Sequence, residues 1–167
     1  MRHFIHIFGE NVVMKAAIAH SLPAREIDFI HLLGGQNIVK KVIKSTFDLI
    51  ALSEYGLTKA SLESLIGHLG VSKKSFLEDV LDMSVKTLER KKSTEKLDRR
   101  TSSQVIEIAK VVEHAFSVFE DEEKVKRWLT KPNAALNNIK PFDLFGTSTG
   151  LGMVDDILGR IEEGVYS

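Results

Sequence analysis

The segment Thr101–Phe119 constrains this chain more than any other, because it runs for about five helical turns without a proline or a glycine. Val105, Ile108, Ala109, Val112, Phe116 and Phe119 recur along it at helical spacing, and Ile106, Val111 and Val118 widen the apolar stripe. A stripe that broad has to be covered on most of its circumference, which predicts a central helix with the other elements wrapped around it. Strand-type alternation is scarce elsewhere, and the chain's prolines stand only at 23, 132 and 141. The expected fold is all-α.

The surrounding segments carry their own start and stop signals. An amphipathic piece is expected over Ala24–Leu33, stopped by Gly34-Gly35. Asn37–Tyr55 is apolar at helical spacing through Val39, Val42, Ile43, Phe47, Ile50 and Leu52, with Ser45 or Thr46 as a cap or break, and closes at Gly56. Thr58 caps Lys59–Leu69, whose stripe is Leu62, Leu65, Ile66 and Leu69, and Gly70 ends it. Ser72 caps a helix carrying Phe76, Leu77, Val80 and Leu81, and Ser84 caps another over Val85–Lys92. A charged connector over Glu95–Arg100 leads into the central helix. Beyond it come a helix over Asp121–Thr130, a break at Pro132, a turn from Pro141 to Leu144, and a last helix capped by Ser148 or Thr149. Leu151, Val154, Ile157, Leu158 and Ile161 form its buried face, and Gly164 ends it.

Charge narrows the function. The formal net charge is zero, but residues 84–100 hold seven Lys/Arg against three Asp/Glu, and residues 101–167 hold seven against eleven. The molecule is polarised rather than neutral. Without cysteine there are no disulfides, thiolate metal sites or cysteine nucleophile. His3, His6, His20, His31, His68 and His114 offer no pair at metal-ligand spacing. Gly34-Gly35 lacks a phosphate-binding continuation, and no nucleophile elbow occurs. Neither a signal peptide nor a membrane-spanning apolar run is read. A cytoplasmic, non-enzymatic protein without cofactor or metal is expected.

Leu77–Arg90 has the spacing of a helix-turn-helix, with Leu77, Leu81, Met83 and Leu88 placed to bury its core. Ser84, Lys86, Thr87, Arg90 and Lys91 are then expected to meet the phosphates and base edges of operator DNA. Two positions depart from the pattern. Glu78 stands where a small residue lets the helices approach, and Asp82 stands where positive φ favours glycine.

The C-terminal segment is the most specific. Arg127-Trp128-Leu129, Pro132-Asn133, Ala135-Leu136, Pro141-x-x-Leu144 and Thr147 are followed by Val154-x-x-x-Leu158-Gly159-Arg160-Ile161-Glu162-x-Gly164-Val165-Tyr166-Ser167. In this order the segment resembles the C-terminal toxin-binding domain of the Xre/ParS-type antitoxins, the partners of RES-domain toxins. Phe142 stands where an aliphatic is common in that family and Glu163 where an aromatic is common. The resemblance implies residues 118–167 as a toxin-binding domain, preceded by an Xre-like helix-turn-helix domain over 45–117. Residues 1–44 form an extension without assigned role. It further implies a cognate RES-type toxin that consumes NAD, repression of the chain's own operon, and a homodimer on palindromic half-sites. A stand-alone regulator whose C-terminal domain dimerises is the alternative.

The residues themselves suggest how such a partner is met. Trp128 is expected in the core and Asn133 on local backbone in the turn. Arg160 can pair with Asp156 one turn earlier, for about 0.2–0.5 kcal/mol. Glu162 and Glu163 oppose the helix macrodipole at about 0.3–1 kcal/mol each, a local cost that points to a basic partner surface. Past Gly164, Val165, Tyr166 and Ser167 are expected to project into the toxin's NAD site. There Tyr166 would fill a base slot and the Ser167 carboxylate the place of a phosphate. The toxin-facing set is thus Arg160, Glu162, Glu163, Val165, Tyr166 and Ser167.

Overall fold

The structure, a computed structural model, describes residues 28–164. The three C-terminal residues expected to project, Val165, Tyr166 and Ser167, and the first four residues of the segment expected over Ala24–Leu33 lie outside those residues. The fold is all-α. After a 3-10 turn at Asp28–His31 come α1 (Gln36–Val39), α2 (Thr46–Tyr55), α3 (Lys59–Leu69) and α4, which begins as Lys73–Ser75 and widens to π geometry over Phe76–Val80. Then follow α5 (Val85–Glu89), α6 (Arg99–Phe119), α7 (Glu122–Thr130), 3-10 turns at Ala134–Leu136 and Pro141–Leu144, and α8 (Ser148–Glu162).

Helix α6 is the axis. Asp98 caps it, accepting the Thr101 backbone N–H at 3.0 Å and the Thr101 hydroxyl at 2.7 Å, so it starts inside the segment read as connector. Its buried side chains, Ser102, Val105, Ile106, Ile108, Ala109, Val111, Val112 and Ala115, cover more than half a circumference. Helices α2, α3, α7 and α8 and the turn Asp28–His31 all pack on it. One core cluster runs unbroken from Phe29 to Leu158, and Phe29, Leu32, Leu33, Val39 and Ile43 belong to it. Residues 28–44 are therefore structural.

Asn37–Tyr55 is two helices, not one. Lys40 takes φ +52 and ends α1, the chain runs irregularly to Ser45, and a reciprocal Ser45–Asp48 capping box starts α2. Val42 and Phe47, placed in the apolar stripe by their spacing, are 66% and 61% exposed. Thr58, Ser72 and Ser84 each accept the N–H three residues on, at 3.2, 3.0 and 3.1 Å, and such caps contribute about 1 kcal/mol apiece.

The C-terminal elements are locked onto α4. Phe142 stands 6.3 Å from Phe76 and 6.0 Å from Phe145, ring centroid to centroid. Thr147, rather than Ser148 or Thr149, caps α8 through the Gly150 N–H at 3.0 Å. A Cβ on Gly150 would collide with the Leu144 carbonyl, which fixes glycine where α8 crosses the preceding turn.

Candidate functional site

Two polar surfaces lie at different places along α6. The first is built on α4 and α5. The widened turn of α4 closes with the Leu81 N–H on the Phe76 carbonyl at 3.3 Å, and Met83 then donates to Leu77 at 2.8 Å. Asp82 between them has φ +51, so the position does require the left-handed region and aspartate supplies it. Glu78 is exposed with its carboxylate 3.9 Å from Lys74. Gln104 of α6 donates to the Val80 carbonyl at 2.8 Å and holds the turn against the axis.

Helix α5 ends at Glu89, short of the expected Lys92, because the chain leaves to serve α3. The carbonyls of Ser93 and Glu95 accept the first-turn N–H groups of Ala60 and Lys59, each at 3.0 Å, and Leu97 donates to Leu57 at 2.8 Å. The five residues expected to meet DNA are consequently unequal. Lys86 and Arg90 are exposed and carry no ion pair among the described residues. The Ser84 and Thr87 hydroxyls lie 2.8 Å apart and are engaged at the cap. The Lys91 ammonium meets the Glu95 carboxylate at 2.8 Å and donates to the Lys96 carbonyl at 3.2 Å, bracing the connector. That contact, ahead of the Lys92 N–H, holds the Glu95 carboxyl below its ordinary range.

The second surface is the end of α8. Arg160 and Glu163 are exposed, but Arg160 forms no ion pair with Asp156. Glu162 is exposed and faces His114 of α6. Its Oε2 lies 3.5 Å from Nε2 of His114, an ion-pair distance, while the other ring nitrogen meets Asp155 Oδ1 at 2.6 Å. His114 is only 13% exposed and stands on α6, so it ties both ends of the last two turns of α8 to the axis. Its partners are far along the chain, which is why spacing alone could not reveal it. Gly164, at φ +70, terminates the helix as expected.

Trp128, expected in the core, is half-buried beside Phe119 at 5.4 Å between ring centroids. Asn133 does bond local backbone, accepting the Ala135 N–H at 2.9 Å. Among the described residues no group of His, Asp and Glu is arranged to hold a metal, and no helix is long and apolar enough to cross a membrane.

These features define an all-helical protein with an α4–α5 pair joined by a tight turn and a separate polar helix end. Residues 114–164 match the model of the antitoxin Xre/MbcA/ParS C-terminal toxin-binding domain, four residues ahead of the boundary expected at 118 and with His114 as its first residue. The C-terminal part of the chain is thus similar to the toxin-binding domain of the Xre/ParS-type antitoxins. Antitoxin Xre of Photorhabdus laumondii subsp. laumondii is 30% identical over 67 residues, which are 40% of this chain and 45% of that protein. The match therefore spans less than half the length of that relative.

Proposed function

We propose that this protein is an antitoxin that neutralises a cognate RES-type, NAD-consuming toxin by blocking its active site, and that it represses its own operon as a homodimer. The match of residues 114–164 to a toxin-binding domain carries this reading. Helix α8 supplies the blocking element: a helix end fixed to α6 through His114, with Arg160 and Glu163 outward and a stop at Gly164. Rigid presentation matters because an inhibitor held in its bound geometry does not give up ordering entropy on binding. Beyond that stop, Tyr166 and Ser167 would enter the nucleotide site. Inhibition is steric and electrostatic, with no chemistry performed by the antitoxin.

The test is co-expression with the product of a neighbouring toxin-type reading frame, reading growth, cellular NAD and co-purification. The full chain should restore growth and NAD. Deleting residues 165–167 should leave a folded chain that binds the toxin without silencing it. Truncated protein that still inhibits fully would remove those residues from the mechanism. Failure of the full chain to bind the toxin would leave only the stand-alone regulator.

A further inference from the structure

We infer that an aromatic-floored cationic groove on α7 is a second docking site for the toxin, and that it receives an acidic segment bearing an apolar side chain. Lys124, Arg127, Trp128 and Lys131 fall three, four and seven residues apart, on one face of α7 and its C-cap. Phe119, from the end of α6, completes a groove of about 380 Å3 whose floor is the Phe119–Trp128 ring pair. The opposite face of α7 is used up in the core by Val125 and Leu129.

The cations around this floor are unpaired. Lys126, on a different face, meets Glu122 at 2.9 Å and Glu123 at 3.1 Å. Lys124, Arg127 and Lys131 are all exposed, and among the described residues none of them meets a carboxylate. Arg127 and Lys131 favour the helix C-terminus, but the dipole gives no such reason for Lys124, and like charges three residues apart repel. Half-open Trp and Arg side by side are the residue types that anchor protein interfaces, and three unpaired positive charges select an anionic occupant.

A protein segment fits better than a nucleic acid. Glu120, Asp121, Glu122 and Glu123 bound the groove on one side, which leaves room for a discrete acidic side chain but not for a continuous run of phosphates crossing it. The groove is also no extension of the α4–α5 surface, since Phe119 lies about 22 Å along α6 from Gln104, which holds the end of α4. It falls within the matched toxin-binding residues 114–164. The site rests on the antitoxin reading and adds to it a contact of opposite charge to the acidic end of α8.

Because Trp128 is the chain's single tryptophan, labelling with 5-fluorotryptophan gives one 19F resonance at the groove. On saturation with the co-expressed toxin that resonance should shift. The variant Lys124→Gln/Arg127→Gln/Lys131→Gln should bind the toxin about tenfold or more weakly, with a flatter salt dependence. An unmoved resonance in the saturated wild-type complex would overturn the groove while leaving the antitoxin reading intact. A shift caused by a single-stranded oligonucleotide but not by toxin would overturn it in favour of nucleic acid. Absence of any wild-type complex would remove both readings together.

Discussion

Asp98 shows how much one side chain settles. Its carboxylate fixes the first residue of α6, and the Thr101 N–H, followed by the Thr101 hydroxyl, holds its pKa below the ordinary 3.8. A carboxyl depressed in the folded state stabilises fully above its unfolded value, and the contribution fades as pH falls through the folded value. At neutral pH, Asp98→Ala should therefore cost about 1 kcal/mol in urea unfolding. Below about pH 4 the difference from wild type should narrow for Asp98→Ala and equally for Asp98→Asn, because neither variant titrates and only the wild-type carboxyl loses its charge. A gap that stays constant down to pH 3 would mean that the charge contributes nothing to the cap. His114 works at the same scale in another way, since one ring joins two carboxylates of α8 to the axis.

At the scale of elements, α5 presents fewer free cations than its composition suggests. Lys86 and Arg90 are open and Lys91 is tied to Glu95 and Lys96. Replacing Lys86 and Arg90 with Ala should flatten the salt dependence of operator binding by up to about 0.9 log unit per lost phosphate contact. Lys91→Ala should instead lower thermal stability more than it changes that slope. An equal loss of slope from Lys91→Ala would show the brace opening on DNA. The broad stripe of α6, the hydroxyl caps at Thr58, Ser72 and Ser84, and the stops at Gly70 and Gly164 were legible in the sequence because each signal is local. What stayed hidden depended on distant partners. Val42 and Phe47 fit helical spacing, but spacing does not say what covers a side chain. Helix α5 stops early because α3 recruits the next carbonyls, and the approach of Glu162 to His114 joins positions far apart in the chain. Trp128 does pack against the core as its residue type suggested, but the ring is only partly covered, and that Phe119 flanks it depends on a second helix.

At the scale of the whole molecule, the α4–α5 pair and residues 114–164 are not separable bodies. Phe142 rests on Phe76 of α4, and α8 rests on α6, within one core cluster. Thermal unfolding followed by calorimetry should give one two-state transition for the full chain, with calorimetric and van't Hoff enthalpies equal. A fragment covering 121–167 loses α6 and should show no cooperative melt, so its toxin binding should be far weaker than that of the full chain. Two resolved transitions, or a cooperative fragment, would contradict the shared core. The continuity has a consequence for how such a protein is removed in a cell. A protease that captures the opened chain finds no surviving half, so under the proposed function operator occupancy and toxin control would end in the same event and on the same clock.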